Sequence, residues 1–269
     1  MTKYQTVRYV CSGHIGTLTL ARPDKRNAQN PLMWEELSQL GRELHSDPAL
    51  RCLVVTAEGP SFSAGIDLVE GLAGMVAEWS DRPPDKNTLE LGLRAAGTFT
   101  WIPRLNCPSV AAVRGHALGG GLQLALACDF RIFGHGAMVG LTETRYGILP
   151  DMGATVRLPR IVGESRAREL ILLGDIIDAA EALRIGLANR VVDDREVESA
   201  AAELAERLAA QPPLAIQGAR RAIDAAWYRD SDSSFHSAVE EQIHCLASDD
   251  FKEARQAMVE GRTPQWQGR

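Results

Sequence analysis

The chain has 269 residues, with 29 Lys and Arg against 35 Asp and Glu for a formal net charge of −6; 45% of residues are hydrophobic and 24% charged. That length supports a large core in one or two domains, and the composition is that of an ordinary soluble globular protein. The acidic balance argues against general nucleic-acid binding, although a local Lys/Arg cluster can still hold an anionic ligand.

Two strands are expected first, Thr6 to Cys11 and Ile15 to Ala21, around a turn at Ser12-Gly13. Asn30 can cap a helix with Pro31 at its first position, running to about His45. Arg51 to Thr56 is a short apolar strand, and Ala57 to Asp67 is rich in turn residues. Residues 69–90 mix Gly, Pro, Asp and Lys and read as an irregular, mobile excursion. A helix over about 88–101 ends before Pro103. A strand over 109–113, a helix from about Gly120 and a strand over 129–133 follow. This alternation predicts an α/β architecture, and no internal repeat is evident. Beyond residue 193 four helices are expected, Val197 to Ala210, Leu214 to Tyr228, Ser234 to Ala247 and Phe251 to Gly261. The division is therefore a core over 1–195 and a helical region over 196–269, which is a helical subdomain or an assembly surface.

No apolar run reaches the roughly 18–20 residues that span a bilayer, so no membrane association is expected. Met1-Thr2-Lys3-Tyr4-Gln5 lacks the apolar segment of a signal peptide. The five cysteines (Cys11, Cys52, Cys107, Cys128 and Cys245) have no CxxC spacing. They read as reduced thiols of a cytoplasmic protein. No His/Cys cluster has metal-ligand spacing, and no metal or redox cofactor is expected.

The stretch richest in chemistry is Arg114-Gly115-His116-Ala117-Leu118-Gly119-Gly120-Gly121-Leu122-Gln123. Three successive glycines where a strand hands over to a helix leave backbone N–H groups uncovered, and the helix N-terminus adds a favourable dipole. Phe62-Ser63-Ala64-Gly65-Ile66-Asp67 can offer a second donor. Two such donors suit acyl chemistry that passes through an enolate or another oxyanion. Each feature has a plainer reading. Taken alone, the triple glycine is as readily a tight packing site, Asp67 a helix cap, Gln123 a buried amide, and Lys25 and Arg26 solvated loop charges. Arg145 pairs with an acid in the site or is simply exposed. His116 reads as a packed histidine rather than a base. The run is not a phosphate loop, since Gly121 stands where that motif needs Lys, and no G-x-S-x-G elbow appears.

Four segments, in this order, resemble the crotonase, or enoyl-CoA hydratase/isomerase, superfamily. They are Leu18 to Ala28, Phe62 to Leu68, Gly115 to Asp129 and Ala257 to Arg262. The resemblance implies a spiral of ββα units with a helical C-terminal region that builds trimers, often paired into hexamers. It implies an acyl-CoA thioester as ligand. By motif position the oxyanion donors are the N–H groups of Ile66 and Gly120, and Lys25, Arg26, Ala28 and Ala64 line the CoA side. The family often carries a lysine for CoA where this chain has Gly261, and Arg262 is the candidate replacement.

Family hydratases use two glutamates. Glu143 stands at one position, but the other holds Gln123, and an amide cannot take a proton as a carboxylate does. Eight residues beyond Glu143 comes Asp151, a spacing that resembles family dienoyl-CoA isomerases, although those carry a further acid at the Gln123 position. The family's aromatic dehalogenases also carry an aspartate there, but with an aromatic residue where this chain has Glu143. The expectation is double-bond isomerisation of the dienoyl-CoA type, with Glu143 and Asp151 exchanging protons and Gln123 holding a water or the substrate. The alternatives are a hydratase that uses Glu143 alone, a thioester hydrolase, and a non-catalytic CoA-thioester binding protein.

Overall fold

The computed structural model describes residues 4–45, 47–71, 82–83 and 85–269. Strands β1 (Val7–Ser12) and β2 (Ile15–Leu20) form an antiparallel hairpin in which Val7 faces Leu20. From β2 onward the large sheet is parallel, through β3 (Cys52–Ala57), β4 (Ser109–Val113), β6 (Phe130–Gly134) and β9 (Arg190–Val192). A smaller sheet joins β5 (His116–Leu118), β7 (Met138–Gly140) and β8 (Ile176–Asp178). The expected strands fall within a residue or two of the observed ones. β5, β7, β8 and β9, of three residues each, are new, and β5 lies in a stretch that reads as a turn.

Every residue of β4 is buried, as expected of a parallel strand covered on both faces. Leu53, Val55, Ala111 and Val113 point to one side and join Leu37, Leu40 and Phe99 in the main core. Val54, Val110 and Ala112 point to the other, where α7 (Val197–Ala209) lays Val197, Ala201 and Ala205 against them. Those three residues recur every four positions and form one helical stripe. The small side chains let the helix lie close to the sheet.

Helix α1 (Pro31–Leu44) starts as expected, with Asn30 Oδ1 accepting the Met33 N–H at 3.0 Å. Helix α2 (Lys86–Ala96) ends at Gly97, earlier than expected, and two 3₁₀ turns carry the chain to Arg104. Half of the expected excursion over 69–90 lies outside the described residues, and α2 occupies its last positions. Helix α3 (Gly120–Ala127) is buried along its whole length. Next come α4 (Ala154–Val162), α5 (Glu164–Leu173) and α6 (Ala179–Arg184).

After α7 the chain continues through α8 (Pro213–Ala225), α9 (Ser231–Ala247) and α10 (Asp249–Glu260). The last two begin earlier than the apolar pattern predicts, because Asp230 and Ser248 cap them by accepting the Ser233 and Phe251 N–H groups. Arg220 pins α8 to the core, donating to Asp129, to the Leu105 carbonyl at 2.6 Å and to the Pro103 carbonyl. All five cysteines are unpaired. Cys11 is exposed, Cys245 half-buried, and the other three buried. Burial pushes the Cys107 and Cys128 thiols up to about 12. No helix among the described residues is long and apolar enough to cross a membrane.

Candidate active site

The two glycine turns meet. A β-carbon on Gly65 would lie 2.6 Å from the Leu118 carbonyl and 3.5 Å from the Gly120 nitrogen. Hydrogen bonds stitch the first turn to β5, since Ser63 N–H donates to the His116 carbonyl and Leu118 N–H to the Ser63 carbonyl. Gly120 is the first residue of α3, where a helical N–H has no acceptor within its own helix. In the first turn, Gly65 N–H is taken by Ser63 Oγ and Asp67 N–H by the Gln29 carbonyl. Between them, the Ile66 N–H has no acceptor among the described residues.

The three glycines are each required for a different reason. Gly119 adopts φ +50°, ψ −122°, a conformation open only to glycine without strain. A β-carbon on Gly120 would fall 2.6 Å from Gln29 Oε1, and one on Gly121 would fall 2.5 Å from the Ser63 carbonyl. The packing reading of the triple glycine and the donor reading are thus the same geometry: close approach brings the N–H groups together.

Glu143 sits on a 3₁₀ turn after β7 and is 8% exposed. Its Oε1 accepts the Gln123 Nε2–H at 2.8 Å and lies over Gly119, while Oε2 is buried and has no partner among the described residues. Burial raises the Glu143 carboxyl above its ordinary value, and the charge of Asp151 raises it further. The Gln123 hydrogen bond opposes this. Asp151, before α4, is more open to water, yet partial desolvation raises it too. Glu143 and Gln123 therefore meet beside Gly119, and Asp151 lies near enough for its charge to act on Glu143.

Gln123 also positions the acid: its Oε1 accepts the Ala154 N–H at 3.3 Å and one of its N–H groups donates to Glu143, which leaves its second N–H for a water or the substrate.

Asp67 is a cap, as its plainer reading has it. Its carboxylate accepts the Val69 and Glu70 N–H groups and pairs with Arg22 at 3.1 Å, and these bonds, led by the Glu70 N–H, hold it below the usual range. Lys25 and Arg26 are exposed, and Arg26 and Asn27 take φ of 50° and 52°. This loop is tied to the first turn because Ala64 N–H donates to the Arg26 carbonyl, while Ala28 N–H closes onto the Lys25 carbonyl. Lys25, Arg26, Ala28 and Ala64 thus share one place. Arg262 is not drawn to it within the chain: its guanidinium donates to Glu253 and Glu260 on α10. Arg145 pairs with Asp175 at the surface, 3.2 Å away. His116 is exposed beside Ser61, not packed.

Sequence reasoning passes over Gln29. It is fully buried, touches Gly120 and bridges to Ile66, and the only signal for it is a polar residue directly after the Lys25–Ala28 loop.

Fold and site together define an α/β protein in which two backbone turns meet beside a buried carboxyl, an arrangement suited to proton transfer next to a polarised carbonyl. The model of the enoyl-CoA hydratase/isomerase family matches residues 11–269, and the chain belongs to that family. It is 34% identical over 254 residues to the short-chain-enoyl-CoA hydratase of Clostridium acetobutylicum, covering 93% of each chain. The crystal structure of an enoyl-CoA hydratase from Bacillus anthracis superposes with a TM-score of 0.89 at 33% identity, over 98% of this chain and all of that one. A candidate enoyl-CoA hydratase from Thermobifida fusca, solved in complex with CoA, gives a TM-score of 0.79 at 35% identity, over 90% and 93%. The fold is the crotonase fold, and the protein is an enzyme of that superfamily.

Proposed function

We propose that this enzyme binds an acyl-CoA thioester and moves a double bond along its acyl chain, with Glu143 as the proton carrier. The observation that carries the reading is the buried Glu143, held by Gln123 through one oxygen, bare at the other, and coupled to the charge of Asp151. The Ile66 and Gly120 N–H groups donate to the thioester oxygen. Glu143 Oε2 removes a proton from the acyl chain, and the electron pair moves through the conjugated carbons onto that oxygen. Each such donor is worth about 3–4 kcal/mol in the transition state. A proton returned at a more distant carbon, by Glu143 or by Asp151 on the other side of the chain, restores the thioester carbonyl and leaves the double bond shifted. Mass is unchanged and no electrons leave the substrate. The loop of Lys25, Arg26 and Ala28 with Ala64 takes the CoA portion, consistent with the CoA complex of the Thermobifida fusca relative.

A second reading, hydration of a 2-enoyl-CoA by Glu143 alone, draws on the relatives, most of which are named hydratases. Gln123 in place of a second carboxylate weighs against it, because an amide cannot take a proton from the water. Unpaired cysteines suit a reducing, cytoplasmic setting. The apolar face of the C-terminal helices suits a trimer or a pair of trimers.

The test offers the purified enzyme a 3,5-dienoyl-CoA and a 2-enoyl-CoA and follows absorbance and mass. A shifted chromophore at constant mass from the dienoyl substrate is expected, with Glu143→Gln inactive and Asp151→Asn impaired. Gain of one water by the 2-enoyl substrate, with Asp151→Asn fully active, establishes the hydratase instead. No turnover of either assigns another CoA-ester reaction or a binding role.

A further inference from the structure

The backbone and the side chain of Gln29 hold different parts of the site. Its N–H donates to the Gly65 carbonyl at 2.7 Å and its carbonyl accepts the Asp67 N–H at 2.8 Å, so it clamps the residues on both sides of Ile66. Its side chain crosses to the other turn, where Oε1 lies 2.6 Å from the point a Gly120 β-carbon would occupy. That oxygen also accepts the Trp34 Nε1–H at 3.2 Å, which fixes which end of the carboxamide faces Gly120. Flipping the amide would set two donors against each other. The residue is wholly buried, and its Nε2 has no partner among the described residues.

Packing alone does not account for this. An apolar side chain of the same length would fill the space without burying an amide N–H that finds no acceptor. We propose that Gln29 is a positioning residue that sets the separation of the Ile66 and Gly120 N–H donors, with Trp34 acting through it. This rests on the reading that those two N–H groups hold the thioester oxygen. It does not depend on which double-bond reaction follows.

The test reads the carbonyl itself. Isotope-edited infrared spectra of bound butanoyl-CoA, a saturated thioester, report how far the two donors polarise it. Gln29→Met keeps the length and removes the amide. It is expected to lower kcat roughly 10- to 100-fold, as a sub-ångström to 1 Å misplacement does, with KM within about twofold and a reduced carbonyl shift. Trp34→Phe leaves Gln29 in place and is expected to move both readouts the same way by less. The double variant should be no worse than Gln29→Met, because Trp34 acts through Gln29. Wild-type kcat and carbonyl shift in Gln29→Met, or losses that add in the double variant, overturn the proposal. If Gln29→Met does not fold, the Trp34→Phe spectrum decides, and an unchanged shift there also overturns it. A wild-type enzyme that does not shift the carbonyl refutes the paired-donor reading and this proposal with it. A wild-type shift that persists in the variants refutes only the role of Gln29.

Discussion

The catalytic part proposed for Glu143 would come at the expense of the fold. Because burial raises its carboxyl, the folded chain holds a proton there that the unfolded chain has lost, over the window from about pH 4.3 up to the raised value. Stability therefore falls as pH rises through that window. Glu143→Gln should cost about 10²- to 10⁴-fold in kcat and yet melt higher than the parent at neutral pH, with the gain disappearing below about pH 4. Thermal melts across pH check this, and a variant that melts lower at pH 7 refutes it. Asp67 has the opposite sign. Its lowered carboxyl contributes stability that is complete above the ordinary aspartate value and is lost as pH falls through the lowered one. Asp67→Asn should cost about 1–3 kcal/mol at neutral pH, the range for hydrogen bonds to a charged group and for leaving Arg22 short of a partner, and less in acid. Denaturant titrations at the two pH values separate these outcomes. Glu143 and Asp67 could be found in the sequence because each lies in a short, recognisable turn. Gln29 could not, because its importance comes from contacts to residues 65, 67 and 120, which only the folded chain brings near.

Among elements, the β5–α3 junction carries the most constraint. Gly121→Ala should be worse than a single added methyl suggests, since the new carbon meets a backbone carbonyl, Ser63 O, and not a side chain that can move aside. The expected result is a kcat loss of at least about 10²-fold together with a lower Tm, measured on the same preparation. Full activity in that variant would mean that the two turns need not meet. The long strands and the start of α1, with its cap Asn30 and first residue Pro31, are legible because apolar runs and capping residues are local signals. β5 was hidden because three residues carry no readable alternation, and it exists through its pairing with β7. The apolar pattern places the starts of α9 and α10 late for a related reason: polar first turns are set by the Asp230 and Ser248 caps, not by apolar spacing.

At the scale of the whole molecule, the C-terminal helices leave much apolar surface open. Phe235 is 72% exposed and Tyr228 71%, and Trp227, Val239, Ile243 and Leu246 are exposed with them. We expect further copies of the chain to cover these side chains. Light scattering should give a multiple of 29.2 kDa, and Phe235→Asp combined with Ile243→Glu should reduce it to the single-chain mass. A wild-type chain already at 29.2 kDa refutes the assembly.

The distribution of thiols turns the same fold into a recorder of its own opening. Cys11 lies on the outer strand in contact with water, whereas Cys52, Cys107 and Cys128 are enclosed around the sheet with their thiolates strongly disfavoured. A maleimide should tag Cys11 in one early step and the half-buried Cys245 after it, and the three enclosed sulfurs should follow only as fast as the sheet breathes. Their alkylation rates, compared with that of the unfolded chain, would give the free energy of opening under native conditions, and tight binding of a thioester would slow them.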